Sequence, residues 1–198
     1  MDHAGFMRAA MAEAEKARGH TGDNPWVGCV IADAAGSLVA RGYTRGPGED
    51  HAEIGALRMA RELGVDLRGG TLYSTLEPCS FHGRTPACAK VVAESGVATL
   101  VLAIRDPHPR VDGVGARMVL EAGLVVVEGV CDDDVRRQLA GWIITHHPHE
   151  PERRLRAFLA GERSTTEAIE HAMHVYGVQR SEAERLVALV GPSPQLGT

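Results

Sequence analysis

Near the amino terminus Phe6, Met7, Ala10, Met11 and Ala14 recur three and four residues apart in an otherwise polar stretch, the stripe an amphipathic helix requires. The pattern predicts a helix from about Asp2 to Arg18, ended by Gly19. Then the period changes. WVGCVIAD is a short, nearly continuous apolar run, AAGS a turn and LVARGY a second run, so two strands joined by a Gly-containing turn are expected. A helical pattern returns near His51, runs through Ile54, Leu57 and Met59 to Leu63, and stops at Gly64. TLYSTL and residues 98–104 and 124–128 read as further strands, with helical stretches from about Pro86 to Ser95 and Val114 to Ala122 between them. This alternation favours parallel strands covered by helices on both faces, and the opening hairpin makes the α/β sheet a mixed one of about five strands.

The pattern shifts again at ITHHPHEPERR, which reads as a linker or a helix terminus. The chain is therefore divided into a domain over residues 1–147 and a small helical extension over 148–198. Two short helices are expected in the extension, each opened by a Ser-x-x-Glu capping box: Ser164 with Glu167, and Ser181 with Glu184. Their spacing is that of a helix-turn-helix, yet SEAERLVALV carries two acids and one arginine, a poor surface for a phosphate-lined groove. Packing on the domain or on a neighbouring subunit is expected instead, and a homo-oligomer, first of all a dimer, is the expected assembly. The tail GPSPQLGT is expected to be disordered. His146, His147 and His149 are read as part of a solvated linker, because histidines around a proline lack the fixed geometry of a metal site.

Composition narrows the partners. The 198 residues are 44% hydrophobic and 24% charged, as in soluble globular proteins, and the net charge is -5 with a pI near 6.0. No broad basic surface follows from this, so a small polar substrate is expected and a nucleic acid is not. The amino-terminal segment has charges throughout, which excludes a signal peptide or a membrane span there and points to the cytoplasm. In that reducing setting Cys29, Cys79, Cys88 and Cys131 are expected to be ligands, nucleophiles or core residues rather than disulfides. Cys29, inside VGCVI, reads as core; Cys131, before three aspartates, as an incidental thiol.

The other two cysteines acquire a meaning from GEDHAEIGAL. His51 and Glu53 open a predicted helix, where residues two apart lie roughly 200° around the axis. They can meet in one site only if it faces the helix end. Cys79 follows the TLYSTL strand and Cys88 follows Pro86, so three segments deliver an imidazole and two thiolates to one point. Such a set, with a fourth position for water, is that of catalytic rather than structural zinc. Zinc lowers the pKa of water from 15.7 toward about 7, and Glu53 is the unligated carboxylate placed to move protons between water and a leaving nitrogen. The order H-x-E, P-C, C is the signature of zinc deaminases, which release ammonia from an amine-bearing ring carbon.

Eight residues separate the cysteines in PCSFHGRTPAC, and in this the chain resembles the deaminase domain of the riboflavin-pathway bifunctional deaminase/reductase. DNPWVGCVIAD, GPGEDHAE, DPHPRVDGVG and AGLVVVEGV extend the resemblance over roughly residues 2–147. It implies a three-layer α/β/α cytidine-deaminase-like fold, bound zinc on His51, Cys79 and Cys88, Glu53 as proton shuttle, and hydrolytic deamination of a ribosyl-phosphate aminopyrimidine. It also implies a substrate pocket that includes Asn24, Ala52, Arg84 and Asp106. Three pocket positions depart from the family pattern: Thr44 and Phe81 stand where it has histidine, and His108 where it has asparagine. Phe81 in place of an imidazole removes a donor and an acceptor and adds apolar surface, so another nucleoside, base or cyclic amidine is the alternative substrate class. A non-catalytic zinc-containing binding module is the alternative of another kind. The fifty or so residues after the deaminase match show no Gly-rich dinucleotide fingerprint, so no reductive step is expected of this chain. Trp26, close to Asn24, either walls the pocket or covers the core.

Overall fold

The computed structural model describes residues 2–81, 87–109 and 111–191, with five strands and eight helices among them. The expectations for Arg84 and for the tail beyond Gly191 lie outside the described residues. The chain forms two compact units, Met1–Val135 and Arg136–Thr198.

In the first unit α1 (His3–Glu15) precedes the hairpin of β1 (Gly28–Ala32) and β2 (Leu38–Tyr43). Then come α2 (Ala52–Glu62), β3 (Thr71–Leu76), α3 (Cys88–Ala93), β4 (Thr99–Ile104), α4 (Val114–Glu121) and β5 (Val125–Glu128). The sheet order is β2-β1-β3-β4-β5. β1 runs antiparallel to β2 and β3, while β3, β4 and β5 are parallel. β1 and β3 are buried along their whole length and β4 nearly so, which is why their sequences are apolar runs rather than alternations.

Two glycines set the layers. A Cβ on Gly28 would lie 1.9 Å from the Ala10 carbonyl oxygen in α1, and one on Gly42 would lie 2.2 Å from the Ala52 carbonyl oxygen in α2. Gly42 pairs with Cys29 and shares its face, and successive strand residues face opposite ways. The helices α1 and α2 therefore cover opposite faces, giving the three-layer α/β/α architecture, with α3 beside α2 and α4 beside α3. Ala52, Ala56 and Ala60, all fully buried at intervals of four, let α2 lie close on the sheet. On the other face Phe6 stacks on Tyr73 with ring centroids 4.9 Å apart, and His3 Nδ1 lies 3.0 Å from the Tyr73 hydroxyl.

The second unit is helical. α5 (Asp132–His146) enters it, and α6 (His149–Ala160), α7 (Thr165–Tyr176) and α8 (Arg180–Val190) pack on one another around Leu155, Ala172, Val175 and Val187. Neither α5 nor α6 is among the elements the hydrophobic pattern predicts. ITHHPHEPERR is the corner between them: Pro148 caps α6 and Pro151 lies in its first turn, where a missing N–H breaks no intrahelical bond. His146 and His149 are exposed, but His147 is buried with its ring 4.7 Å from that of Trp142, so the segment is not a solvated linker at that residue. The Ser164–Glu167 capping box forms in both directions. Its sequence twin does not: Gln179 is the N-cap of α8, which places Ser181 inside the first turn, and no side chain caps that helix. All four cysteines are free, with Cys29 in the core and Cys131 half-buried ahead of α5. Among the described residues no helix is long and apolar enough to cross a membrane.

Candidate metal centre and substrate pocket

The parallel pair β3 and β4 ends at Leu76 and Ile104, and the loops leaving those carboxyl ends meet the amino terminus of α2, the usual place for a site in such sheets. His51 is the N-cap of α2, with extended backbone (φ -72°, ψ 164°), and its side chain does not cap the helix. Its carbonyl starts the helical ladder by accepting from Gly55 N–H, which leaves the imidazole available to the site. Cys79 lies in the loop after β3 and Cys88 opens α3. The ligand atoms of His51, Cys79 and Cys88 all lie within 4.8 Å of one another, and they are the group among the described residues able to hold a metal. His51 Nδ1 is 3.4 Å from Cys88 Sγ, close to the edge of about 3.5 Å that a tetrahedral zinc with Zn–S near 2.3 Å and Zn–N near 2.0 Å gives. Both the donor set and its spacing fit zinc.

The thiols are already differentiated. The Cys88 side chain donates to Cys79, and with the His51 ring and the Cys88 backbone N–H, 3.3 Å from Cys79 Sγ, this holds Cys79 down at about 4 despite partial burial. Cys88 is driven upward by that same hydrogen bond and by burial. Bonding to Cys79 raises His51, against the effect of burial. The arrangement thus favours the Cys79 sulfur over Cys88 as the anion.

Glu53, in the first turn of α2, is 4% exposed. Burial pushes its carboxyl up to about 7, with the Cys79 charge adding to the rise and His51 and Ser74 opposing it. Ser74, paired with Cys29 and so on the α2 face of β3, places its Oγ 3.5 Å from Glu53 Oε1 and donates its proton to Leu76 O at 2.7 Å. No lysine or arginine pairs with Glu53 among the described residues. A buried carboxyl raised toward neutrality thus lies beside the cluster of His51, Cys79 and Cys88.

A cavity of about 110 Å³ opens over this cluster, and Asn24, Thr44, His51, Glu53, Cys79, Phe81 and Asp106 are among its lining residues. Asn24 is held by the Thr21 hydroxyl, which donates to its carbonyl at 2.7 Å. The Thr44 hydroxyl is engaged by the Val27 backbone, accepting from its N–H at 3.2 Å. Asp106 Oδ1 accepts the His108 N–H at 2.8 Å, and burial raises its carboxyl. Phe81 stands at the rim, 59% exposed. Ala52 and His108 do not line the cavity: Ala52 is the contact of α2 with Gly42, and His108 supports Asp106 through its backbone. Trp26 is half-buried beneath the Arg18 guanidinium and lies outside the lining. Glu77 also lines the cavity, a residue the sequence reading did not single out. Its position inside LEPC, two residues before the cysteine, was the available signal.

Residues 1–104 match the family described as the cytidine and deoxycytidylate deaminase zinc-binding region. The chain belongs to this family. Among curated proteins, this deaminase-family chain is 41% identical over 138 residues to riboflavin biosynthesis protein RibD of Escherichia coli, a match covering 70% of the chain and 36% of the relative. RibD of Aquifex aeolicus is 40% identical over 131 residues, covering 66% and 36%. A solved structure, the diaminohydroxyphosphoribosylaminopyrimidine deaminase/5-amino-6-(5-phosphoribosylamino)uracil reductase of Thermotoga maritima, superposes with a TM-score of 0.68 at 40% identity, covering 72% of this chain and 40% of that one. The chain thus spans little more than a third of the length of the curated relatives it matches.

Proposed function

We propose that this deaminase-family chain removes an exocyclic amine from a nitrogen heterocycle by zinc-dependent hydrolysis, and that the ribosyl-phosphate aminopyrimidine of riboflavin synthesis is the first substrate to test. The observation that carries the reading is the cluster of His51, Cys79 and Cys88 beside a cavity lined by His51, Cys79 and the buried Glu53, whose carboxyl is raised to about 7. We assign the activity to residues 1–147. His51, Cys79 and Cys88 would hold the zinc, which supplies hydroxide from water near neutral pH. Glu53 accepts the proton that water gives up as it adds to the amine-bearing carbon and passes it to the ring nitrogen, then carries the remaining hydroxyl proton to the amine, which departs as ammonia as the C–N bond breaks and the ring carbonyl forms. Asn24 and Asp106 lie on the cavity wall, where a planar ring with donors and acceptors would meet an amide and a carboxyl.

The test is ammonia release by the metal-loaded chain, compared with Glu53→Gln. Removal of the shuttle should slow turnover by about 10² to 10⁴ while zinc stays at one per chain. Ammonia release that is absent from the unsubstituted chain with every amino heterocycle would favour the binding-module reading. A second substrate reading rests on Phe81, whose exposed ring at the cavity mouth offers stacking where the family pattern has an imidazole. If it sets specificity, Thr44→His with Phe81→His moves preference toward the phosphorylated pyrimidine. Unchanged preference means these two positions do not choose the substrate.

A further inference from the structure

Glu77 is buried to 3% exposure, and its carboxylate is wholly occupied by backbone. Oε2 accepts Asp106 N–H at 3.1 Å and Gly113 N–H at 2.9 Å, and Oε1 accepts Ala116 N–H at 3.0 Å. These donors come from the loop after β4 and from the start of α4. That helix has Gly113 as its N-cap, at φ +82°, and no side chain of its own to cap it. Glu77 therefore does from a distance what a capping box does locally: from 39 residues away it accepts the Ala116 amide that an N-cap Ser or Asp would take, and from 36 away the Gly113 amide that a Glu in the first turn would take. Its own N–H donates to Ile104 O at 3.0 Å, which carries the β3–β4 ladder one step past the strands. The next residue is seated just as closely: a Cβ on Gly115 would lie 1.9 Å from the Pro78 carbonyl oxygen. Cys79 follows, and both Glu77 and Asp106 line the cavity.

We propose that Glu77 is a positioning residue for the reaction: it locks the Cys79 loop and the Asp106 loop in one register, so that the Asp106 carboxyl faces substrate at a fixed place relative to the metal ligands. The inference rests on the deaminase reading above. Two groups on separate loops need such a tie, because a displacement of about 1 Å in a positioned group costs as much as 10²-fold in rate. The three donors converging on two oxygens also specify a carboxylate. A glutamine at this place turns one acceptor into a donor that faces an N–H.

The experiment compares Glu77→Gln, Asp106→Asn and the double variant with the unsubstituted chain, all zinc-loaded. Glu77→Gln should raise KM about tenfold with kcat within about threefold and zinc retained, and in the Asp106→Asn background it should add less than about twofold. An equal effect in both backgrounds overturns the proposal, as does a fall in kcat that tracks lost zinc. Amide hydrogen exchange supplies a readout independent of turnover: the Asp106, Gly113 and Ala116 amides should exchange at least about tenfold faster in Glu77→Gln, with the β1 and β3 amides unchanged. Unchanged exchange at those three amides overturns the proposal even where no substrate is found. An unsubstituted chain that deaminates nothing sinks the functional reading alone and leaves the exchange result to decide. If Glu77→Gln does not fold, Glu77→Asp, one methylene shorter, is read by the same criteria.

Discussion

Two of the buried glutamates, one taken from each unit, are treated in opposite ways. Glu150, 2% exposed in the helical unit, pairs with the Arg136 guanidinium and accepts the Tyr176 hydroxyl at 2.9 Å. Glu53 is buried equally well, but its neighbours are an imidazole, sulfur and a serine hydroxyl at 3.5 Å. Burying a carboxylate costs several kcal/mol unless a cation and hydrogen bonds offset it. The helical unit supplies the offset, and Glu150 joins three helices. The α/β unit withholds it, so Glu53 is left with its proton in balance near neutral pH. An acid kept in that condition lowers stability once it ionises, and its place on the cavity is what accounts for it.

The comparison breaks most visibly at Glu150. Glu150→Gln deprives Arg136 of this carboxylate in a buried setting and should cost about 3–5 kcal/mol in denaturant unfolding; a loss below about 1 kcal/mol would mean the pair is not the anchor it resembles. Glu53→Gln should act in the opposite direction. The Glu53 carboxyl is raised from its ordinary 4.5 to about 7 in the fold. Between those values the folded chain binds more protons than the unfolded one, so stability falls as pH rises through the window. In the metal-free chain Glu53→Gln should therefore add about 3 kcal/mol at pH 8 and little at pH 4.5. An equal gain at both pH values would show that the substitution acts by packing and not by relieving a buried charge. The smallest effect tests how local the stability of the helical unit is. Ser164→Ala should cost about 1 kcal/mol in thermal unfolding and Ser181→Ala under about 0.5 kcal/mol, because the first hydroxyl caps α7 and the second caps nothing. Equal losses would place the α8 start elsewhere.

The two serines also show where reading a sequence stops. Both head the same Ser-x-x-Glu pattern, and chain direction at the α7–α8 turn decides which becomes a cap. The same holds for α5 and α6. Their corner is written in prolines and histidines that read as linker, yet Pro148 and Pro151 fall where a helix start tolerates them, and the buried His147 against Trp142 turns polar sequence into core. The five strands, by contrast, were legible because three of them are buried on both faces and so are written as apolar runs. His51, Glu53, Cys79 and Cys88 were legible for another reason. Metal chemistry admits few residue types, so their order and spacing carry information without any packing.

The sequence by itself pointed to the layered α/β class, to the group of His51, Cys79 and Cys88 and to the carboxyl beside it, since period, residue type and spacing are local properties. Only the tertiary structure decided that Glu77 bridges to residues 29 to 39 positions away, and that Ala52 and His108 are not among the residues lining the cavity. It also decided that Glu53 and Glu150, the same side chain at nearly the same burial, do different things. What separates them is the company each keeps after folding: a guanidinium and a phenol for one, and for the other an imidazole, two sulfurs and a hydroxyl.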